Sequence, residues 1–261
     1  MFDFHIHSHV SFDSDANPAA IVDAAIKAGM REICFTDHLD YDPMNDNPSL
    51  AFNTEVYSIA YDKLYSADVK IRRGMEFGML PDNYATMKRD LQRRPFDFVI
   101  GSVHFADGMD IYYPPFWEGK TIEAAERQVL EQTLECVRVH DGFDVLGHLT
   151  YISKADANPV KRAVPYEAHR DIVDEIFRQL IQKGKGIEIN TSGINICGEP
   201  LPGLRYLRRF KELGGEIVTV GSDAHTISRV GQYCTEICEV VKEVFGYVCT
   251  FESRKPIFYK L

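Results

Sequence analysis

Residues able to do chemistry arrive almost at once, in Phe2-Asp3-Phe4-His5-Ile6-His7. On an extended strand, side chains two apart share a face, so His5 and His7 project together while Phe4 and Ile6 pack against the opposite side. Two neighbouring imidazoles make half of a metal site. An isolated His-x-His is also something a half-buried strand ordinarily carries, so the pair alone decides nothing. Repetition decides it. Asp37 and His38 follow Ile33 to Thr36, Glu76 follows Ile71 to Met75, and His104 follows Phe98 to Val103. His148 follows Val145-Leu146-Gly147, Asn190 closes Gly186 to Ile189, and Asp223 and His225 follow Val218 to Gly221. A pocket holding several cations accounts for all of these with one cause.

Residues two hundred positions apart meet only if the fold returns them to one place. Strand-type runs near residues 2–7, 32–36, 69–75, 97–103, 143–147, 186–190 and 216–221 alternate with helical stretches. Asn17-Pro18 opens a helix to about Gly29; others are read over Asn53 to Tyr65, Asp82 to Leu91, Thr121 to His140, Tyr166 to Lys183, Leu201 to Leu213 and Arg229 to Phe245. Gly184, Gly214 and Gly246 are the expected stops. Strand alternating with helix predicts parallel strands, and seven such units suit a closed barrel better than an open sheet. The expectation is an α/β protein, a single (β/α)7 distorted TIM-like barrel over residues 1–261, with no linker-like shift in composition. In such a barrel the carboxyl ends of the strands form one rim, and every candidate ligand falls there.

Two segments interrupt the alternation. Asp40 to Phe52, rich in Asp, Asn and Pro, reads as a long loop, and Ala106 to Lys120 as another, carrying Tyr112, Tyr113, Phe116 and Trp117. That aromatic cluster is either a lid over the substrate or loop packing. The tail from Val248 to Leu261 is expected to be an extended cover.

Composition sets the outer limits. The 261 residues are 45% hydrophobic, enough for a large core, and carry a net charge of -10, which repels a nucleic-acid backbone while permitting a local cationic pocket. No apolar run is long enough to span a bilayer, and a soluble cytoplasmic protein is expected, with no oligomeric state implied. The six cysteines lie scattered in apolar segments as buried free thiols; Cys234 and Cys238, four apart on a helix, suit core packing better than a metal. His9 continues the alternation of His5 and His7 and so competes with Asp13 as a ligand, though a surface role suits it better; His140 and His169 are read as surface or capping residues, and Gly184-Lys185-Gly186 as a turn.

The motifs carry a resemblance as well. His5-x-His7, Ser11-x-Asp13-Ser14, Thr36-Asp37-His38, Gly74-Met75-Glu76 and Gly101-Ser102-Val103-His104 come first. Gly147-His148, Glu188-Ile189-Asn190-Thr191-Ser192-Gly193 and Gly221-Ser222-Asp223-Ala224-His225 follow in order. The set resembles that of the polymerase-and-histidinol-phosphatase (PHP) family, and within it the histidinol-phosphatase branch. The resemblance implies a (β/α)7 barrel with three divalent transition-metal ions, zinc, iron or manganese, possibly mixed. One ion would take His5, His7, Glu76 and Asp223; a second Glu76, His104 and His148; a third Asp13, His38 and His225. Asp13 stands where many relatives carry histidine. Lys154 sits where relatives commonly place an arginine, which makes it a phosphate clamp, with Arg162 and Arg229 as alternatives.

The chemistry explains such a cluster. Phosphate monoesters hydrolyse extremely slowly unaided, and two ions bridged by a carboxylate bring a shared water toward ionisation near neutral pH. Glu76, Asp223 and Asp37 are the catalytic candidates, Asp37 either orienting a ligand histidine or protonating the leaving alkoxide. The expected activity is hydrolysis of a small phosphate monoester, and the resemblance implies that it is L-histidinol phosphate, in histidine biosynthesis. Phosphotyrosine or a nucleotide-derived phosphate remains an alternative substrate, and a non-catalytic metal-binding regulatory barrel an alternative class.

Overall fold

Local signals in the chain set its elements before packing assembles them. The structure is a computed structural model and describes residues 1–44 and 50–261. In chain order its strands are β1 (Phe2–Ile6), β2 (Glu32–Phe35), β3 (His38–Leu39), β4 (Lys70–Gly78), β5 (Phe98–Ser102), β6 (Phe105–Ala106), β7 (Met109–Asp110), β8 (Val145–Leu146), β9 (Gly186–Asn190), β10 (Val218–Gly221), β11 (Tyr247–Glu252) and β12 (Lys255–Lys260). The helices are α1 (Pro18–Lys27), α2 (Thr54–Tyr61), α3 (Tyr84–Leu91), α4 (Pro114–Trp117), α5 (Ile122–Val139), α6 (Arg170–Gln182), α7 (Ile194–Cys197), α8 (Leu204–Glu212) and α9 (Cys234–Phe245). Asn17 caps α1 by accepting the Ala19 N–H at 2.9 Å, with Pro18 in the first turn, where its missing N–H costs nothing. Asn53 and Thr121 cap α2 and α5 in the same way. Gly184 and Gly246, at φ +65° and +77°, end α6 and α9 in a conformation that strains any residue with a Cβ.

Strands β1, β2, β4, β5, β8, β9 and β10 pair in that order, all in parallel, so the seven expected strands are present. Across the seam the Asp223 N–H donates to the His5 carbonyl at 2.8 Å and the His7 N–H to the Ala224 carbonyl at 2.9 Å, which nearly closes the barrel. Short β3 was not expected; it pairs with β4 and sets His38 directly beside Glu76. Three helices begin later than the sequence predicts, α6, α8 and α9, the last at Cys234 rather than Arg229, after Tyr233 in a left-handed conformation at φ +60°. Residues 166–168 form a separate turn before α6 because the His169 ring is drawn inward to Glu126, and α8 waits until Leu204 because Leu201 pairs with Asn190.

The tail forms a β11–β12 hairpin. Phe251 packs on Phe98 at 4.8 Å and Phe98 on Phe4 at 5.5 Å, each buried ring worth about 1.5–3 kcal/mol. The Ser253 and Arg254 N–H groups donate to Asp97, and Arg254 Nε to Asp144, residues that introduce β5 and β8. The hairpin therefore covers the amino-terminal mouth and leaves the carboxyl-terminal rim to function. Of the expected 40–52 loop, residues 45–49 lie outside the described residues; its ends are joined by Asp40 N–H to Leu50 O and Phe52 N–H to His38 O. No helix among the described residues is long and apolar enough to cross a membrane.

Candidate metal centre

Strand ends deliver the ligand-type side chains to one point, and the spacing of their atoms is informative. Four ligands about 2.0–2.1 Å from a tetrahedral zinc stand roughly 3.3–3.4 Å from one another. His5 Nε2 and His7 Nε2 are 3.0 Å apart; they lie 3.3 and 3.5 Å from Glu76 Oε2, and 3.6 and 3.3 Å from Asp223 Oδ1. Around the other Glu76 oxygen, His148 Nε2 stands at 2.8 Å and His104 Nε2 at 3.4 Å, with 3.4 Å between the two imidazoles. A third group gathers on Asp13 Oδ2, with His225 Nε2 at 3.0 Å and His38 Nε2 at 3.5 Å. Among the described residues, the sets whose ligand atoms all lie close enough to share a cation are His5–His7–Asp223, His5–Glu76–His148, His7–Asp13–His38–His225 and His38–Asp40–His104. Asp223 supplies its carboxylate from a left-handed backbone, φ +55°, which aspartate tolerates better than most residues.

Glu76 tests the fit. Its Oε2 is buried without a hydrogen-bond partner, while nitrogens of His5, His7 and His38 stand 3.1–3.5 Å away. A buried carboxylate oxygen left in that state is costly unless positive charge sits among the same atoms. Imidazole and carboxylate donors at these spacings suit a first-row divalent ion.

The opposite ring nitrogens are held from behind. His5 Nδ1 meets Glu188 at 2.6 Å, His7 Nδ1 meets Ser11 Oγ at 3.0 Å, and His225 Nδ1 meets the Asp223 carbonyl at 3.0 Å. Asp40 holds two rings, His38 Nδ1 at 2.9 Å and His104 Nδ1 at 2.8 Å. Such partners fix ring orientation and turn Nε2 toward the cation. Glu188 also accepts the His148 N–H at 2.9 Å. The sequence reading assigned no role to Asp40 or Glu188. Their alternation is legible, since His38-x-Asp40 and Glu188-x-Asn190 repeat the two-residue spacing of His5-x-His7, but Asp40 also opens the Asp-, Asn- and Pro-rich stretch that reads as a loop.

Charge follows from this packing. Burial works to raise the Glu76 carboxyl, yet His5, His38 and His104 outweigh it and hold the group well below its ordinary value. At Asp223, burial is likewise overcome by Lys154 and His5. Burial also opposes protonation of His104, but Asp40 and Glu76 carry its pKa to about 10. His7 and His148 go the other way; burial keeps both imidazoles neutral.

A cavity of about 650 Å³ opens over these groups, with Lys154, Ser192, Arg229, Tyr112 and Tyr151 in its wall. Lys154 Nζ donates to Asp223 and, at 3.1 Å, to Ser192 Oγ. Arg229 is exposed at the edge of the same cavity. Two expected site residues lie elsewhere. Arg162 pairs with buried Glu126 at 2.9 Å and is not among the residues lining the cavity. Asp37 is fully buried, is not among the residues lining the cavity, and accepts from Ser8, Ser11 and Tyr61; through Ser11 it steadies His7. His140 and His169 are buried rather than superficial, bonded to the Leu80 carbonyl and to Glu126. His9 is exposed. The aromatic loop divides: Tyr112 and Tyr113 line the cavity, whereas Phe116 is buried and Trp117 donates to the Ile111 carbonyl. Cys234 and Cys238 are buried free thiols.

Fold and site together define a parallel barrel whose carboxyl-terminal rim gathers imidazoles and carboxylates at cation-ligating distances. A PHP domain profile matches residues 3–192, and the chain belongs to the PHP family. It is 34% identical to the histidinol-phosphatase of Lactococcus lactis subsp. lactis (strain IL1403), over 97% of this chain and 95% of that protein. To the probable histidinol-phosphatase of Clostridium acetobutylicum it is 30% identical, over 100% and 97% of the two chains. The crystal structure of histidinol phosphate phosphatase from the same Lactococcus, complexed with zinc, L-histidinol and phosphate, matches with a TM-score of 0.88 and 31% identity over 98% of each chain.

Proposed function

We propose that residues 1–261 form one metal-dependent phosphomonoesterase domain that hydrolyses L-histidinol phosphate to L-histidinol and phosphate, a cytoplasmic step of histidine biosynthesis. The observation that carries this reading is Glu76, a buried carboxylate with His5 and His7 at one oxygen and His104 and His148 at the other. The relatives named histidinol-phosphatase support the substrate. Three divalent ions, zinc or mixed with iron or manganese, would be held by His5, His7, Glu76 and Asp223; by Glu76, His104 and His148; and by Asp13, His38 and His225.

Ions bound there supply a water acidic enough to serve as nucleophile near neutral pH, and positive charge for the phosphoryl oxygens. The chain's own groups do the rest. Glu76 would contribute to holding two ions, presenting Oε2 beside His5 and His7 and Oε1 beside His104 and His148. Lys154 presents an ammonium beside Asp223 at the cavity wall, a point charge for a phosphoryl oxygen rather than the two-pronged contact an arginine would give. Arg229 adds positive charge at the edge. Asp37, Asp40 and Glu188 keep the ligand rings in place, so little reorganisation accompanies binding.

Zinc-loaded protein should release inorganic phosphate from L-histidinol phosphate, with a higher kcat/KM than from phosphotyrosine or nucleoside monophosphates. Glu76→Ala should lose both turnover and the paired ions, counted by metal analysis. Full turnover in that variant would refute the mechanism.

A further inference from the structure

Asp3 stands two residues before His5 on β1 and is fully buried, with four donors around its carboxylate. Oδ1 accepts the Ser222 N–H at 2.8 Å and, more weakly, the His5 N–H at 3.4 Å. Oδ2 accepts the Ser222 hydroxyl at 2.6 Å and the Gly231 N–H at 2.8 Å. Ser222 directly precedes Asp223, so the first three bonds steady the strand ends that present His5 and Asp223. The bond to Gly231 leads elsewhere.

Gly231 belongs to the turn that carries Arg229 to the cavity edge. Within it the Arg229 N–H donates to the Thr226 carbonyl at 3.0 Å, and the Gln232 N–H to the Arg229 carbonyl at 3.0 Å. Two left-handed residues, Gly231 at φ +70° and Tyr233 at φ +60°, then lead the chain into α9. A tyrosine keeps that conformation only where its surroundings fix it. Two buried side chains anchor the turn at that point: Asp3 at Gly231, and Thr191, whose hydroxyl donates to the Gln232 carbonyl at 2.6 Å. Both come from ligand-bearing parts of the barrel, Asp3 within β1 and Thr191 directly after β9. Among the described residues no carboxylate pairs with the Arg229 guanidinium, so the turn, and not an ion-pair partner, sets its place.

We propose that Asp3 and Thr191 are positioning residues that lock the 226–232 turn to the metal-bearing strands, so that Arg229 waits at the cavity edge as a second fixed cation for the phosphoryl group. The proposal rests on the phosphatase reading above and adds to it how the cationic half of the phosphate site is held. A guanidinium on a loose surface turn would have to be ordered each time phosphate bound; one on an anchored turn spends that entropy during folding.

Asp3→Asn leaves one side-chain oxygen and one N–H₂. The oxygen is better kept where the Ser222 and His5 N–H groups converge, because the Ser222 hydroxyl can reverse and accept from the N–H₂ whereas the Gly231 N–H cannot. The loss therefore falls on the Arg229 turn. Thr191→Val removes the other anchor at nearly constant shape. Inorganic phosphate binding to the zinc-loaded protein, measured by calorimetry, should weaken about tenfold in Arg229→Met, the scale of one charged contact, and about 3- to 10-fold in each anchor variant. KM for L-histidinol phosphate should rise in step, with the bound zinc count unchanged.

A double-mutant cycle separates positioning from general destabilisation. Added to Arg229→Met, neither anchor variant should weaken phosphate further, because both act through the same guanidinium. Effects that multiply, zinc lost in proportion to phosphate affinity, or a fall in kcat at constant KM and constant phosphate affinity would each overturn the proposal. Should Asp3→Asn fail to fold, Thr191→Val carries the same cycle alone. Were no monoester cleaved while phosphate affinity still followed the cycle, the phosphatase reading would fall and the positioning would stand.

Discussion

Asp40→Asn is the sharpest test of how the centre is held together. One carboxylate, 3% exposed, accepts from His104 Nδ1 through Oδ1 at 2.8 Å and from His38 Nδ1 through Oδ2 at 2.9 Å. Asparagine has a single side-chain oxygen, so it can keep one ring and must turn an N–H₂ toward the other. The lost charge-assisted bond is worth about 1.5–3 kcal/mol, which becomes roughly a 10- to 100-fold loss in metal affinity. The loss should fall on the positions that use His38 and His104, leaving the one built from His5, His7 and Asp223 nearly intact. Competition with a chromophoric chelator would show two weakened zinc-binding phases and one unaltered phase. Gly78→Ala offers a second route to the same end, because a Cβ there would lie 2.0 Å from Asp40 Oδ1 and displace it without changing any polar group. Equal weakening of every phase, or chelator curves identical to the parent protein in both variants, would refute the reasoning.

Other outcomes follow from the same geometry. Lys154→Met should raise KM for the phosphate ester by about tenfold or more, the cost of one charged contact, whereas Arg162→Met should leave steady-state kinetics alone and lower the melting temperature by exposing buried Glu126 to the loss of its partner. A phosphate-ester KM that moves with Arg162 instead would reverse the assignment. Metal loading should also release protons. The His104 pKa is raised from 6.5 to about 10 by Asp40 and Glu76 against burial, so in metal-free protein its protonated form stabilises the fold fully below 6.5, and that contribution is lost as pH rises through 10. A cation must displace that proton throughout the window, so calorimetry near neutral pH, repeated in buffers of different ionisation enthalpy, should register proton release on zinc binding, fading above about pH 10. Zinc binding without proton release near neutrality would contradict the charge state assigned to His104.

The sequence by itself determined the order of elements and the residues that gather at the rim. Short apolar runs ending in His, Glu, Asp or, for β9, Asn190 mark the seven parallel strands, because a strand's alternation and its carboxyl end are local properties, and the caps at Asn17, Asn53 and Thr121 are local too. Tertiary structure alone decided which nitrogen faces which oxygen. Nothing near Asp40 in the chain says that it will hold His104, 64 residues away, and nothing beside Glu188 points to His5. Asp37 and Arg162 looked like site residues for the converse reason: a residue's type and its nearness to a motif are legible in one dimension, but whether its side chain turns into the cavity or into the packing behind it depends on partners such as Tyr61 and Glu126 that only folding brings close.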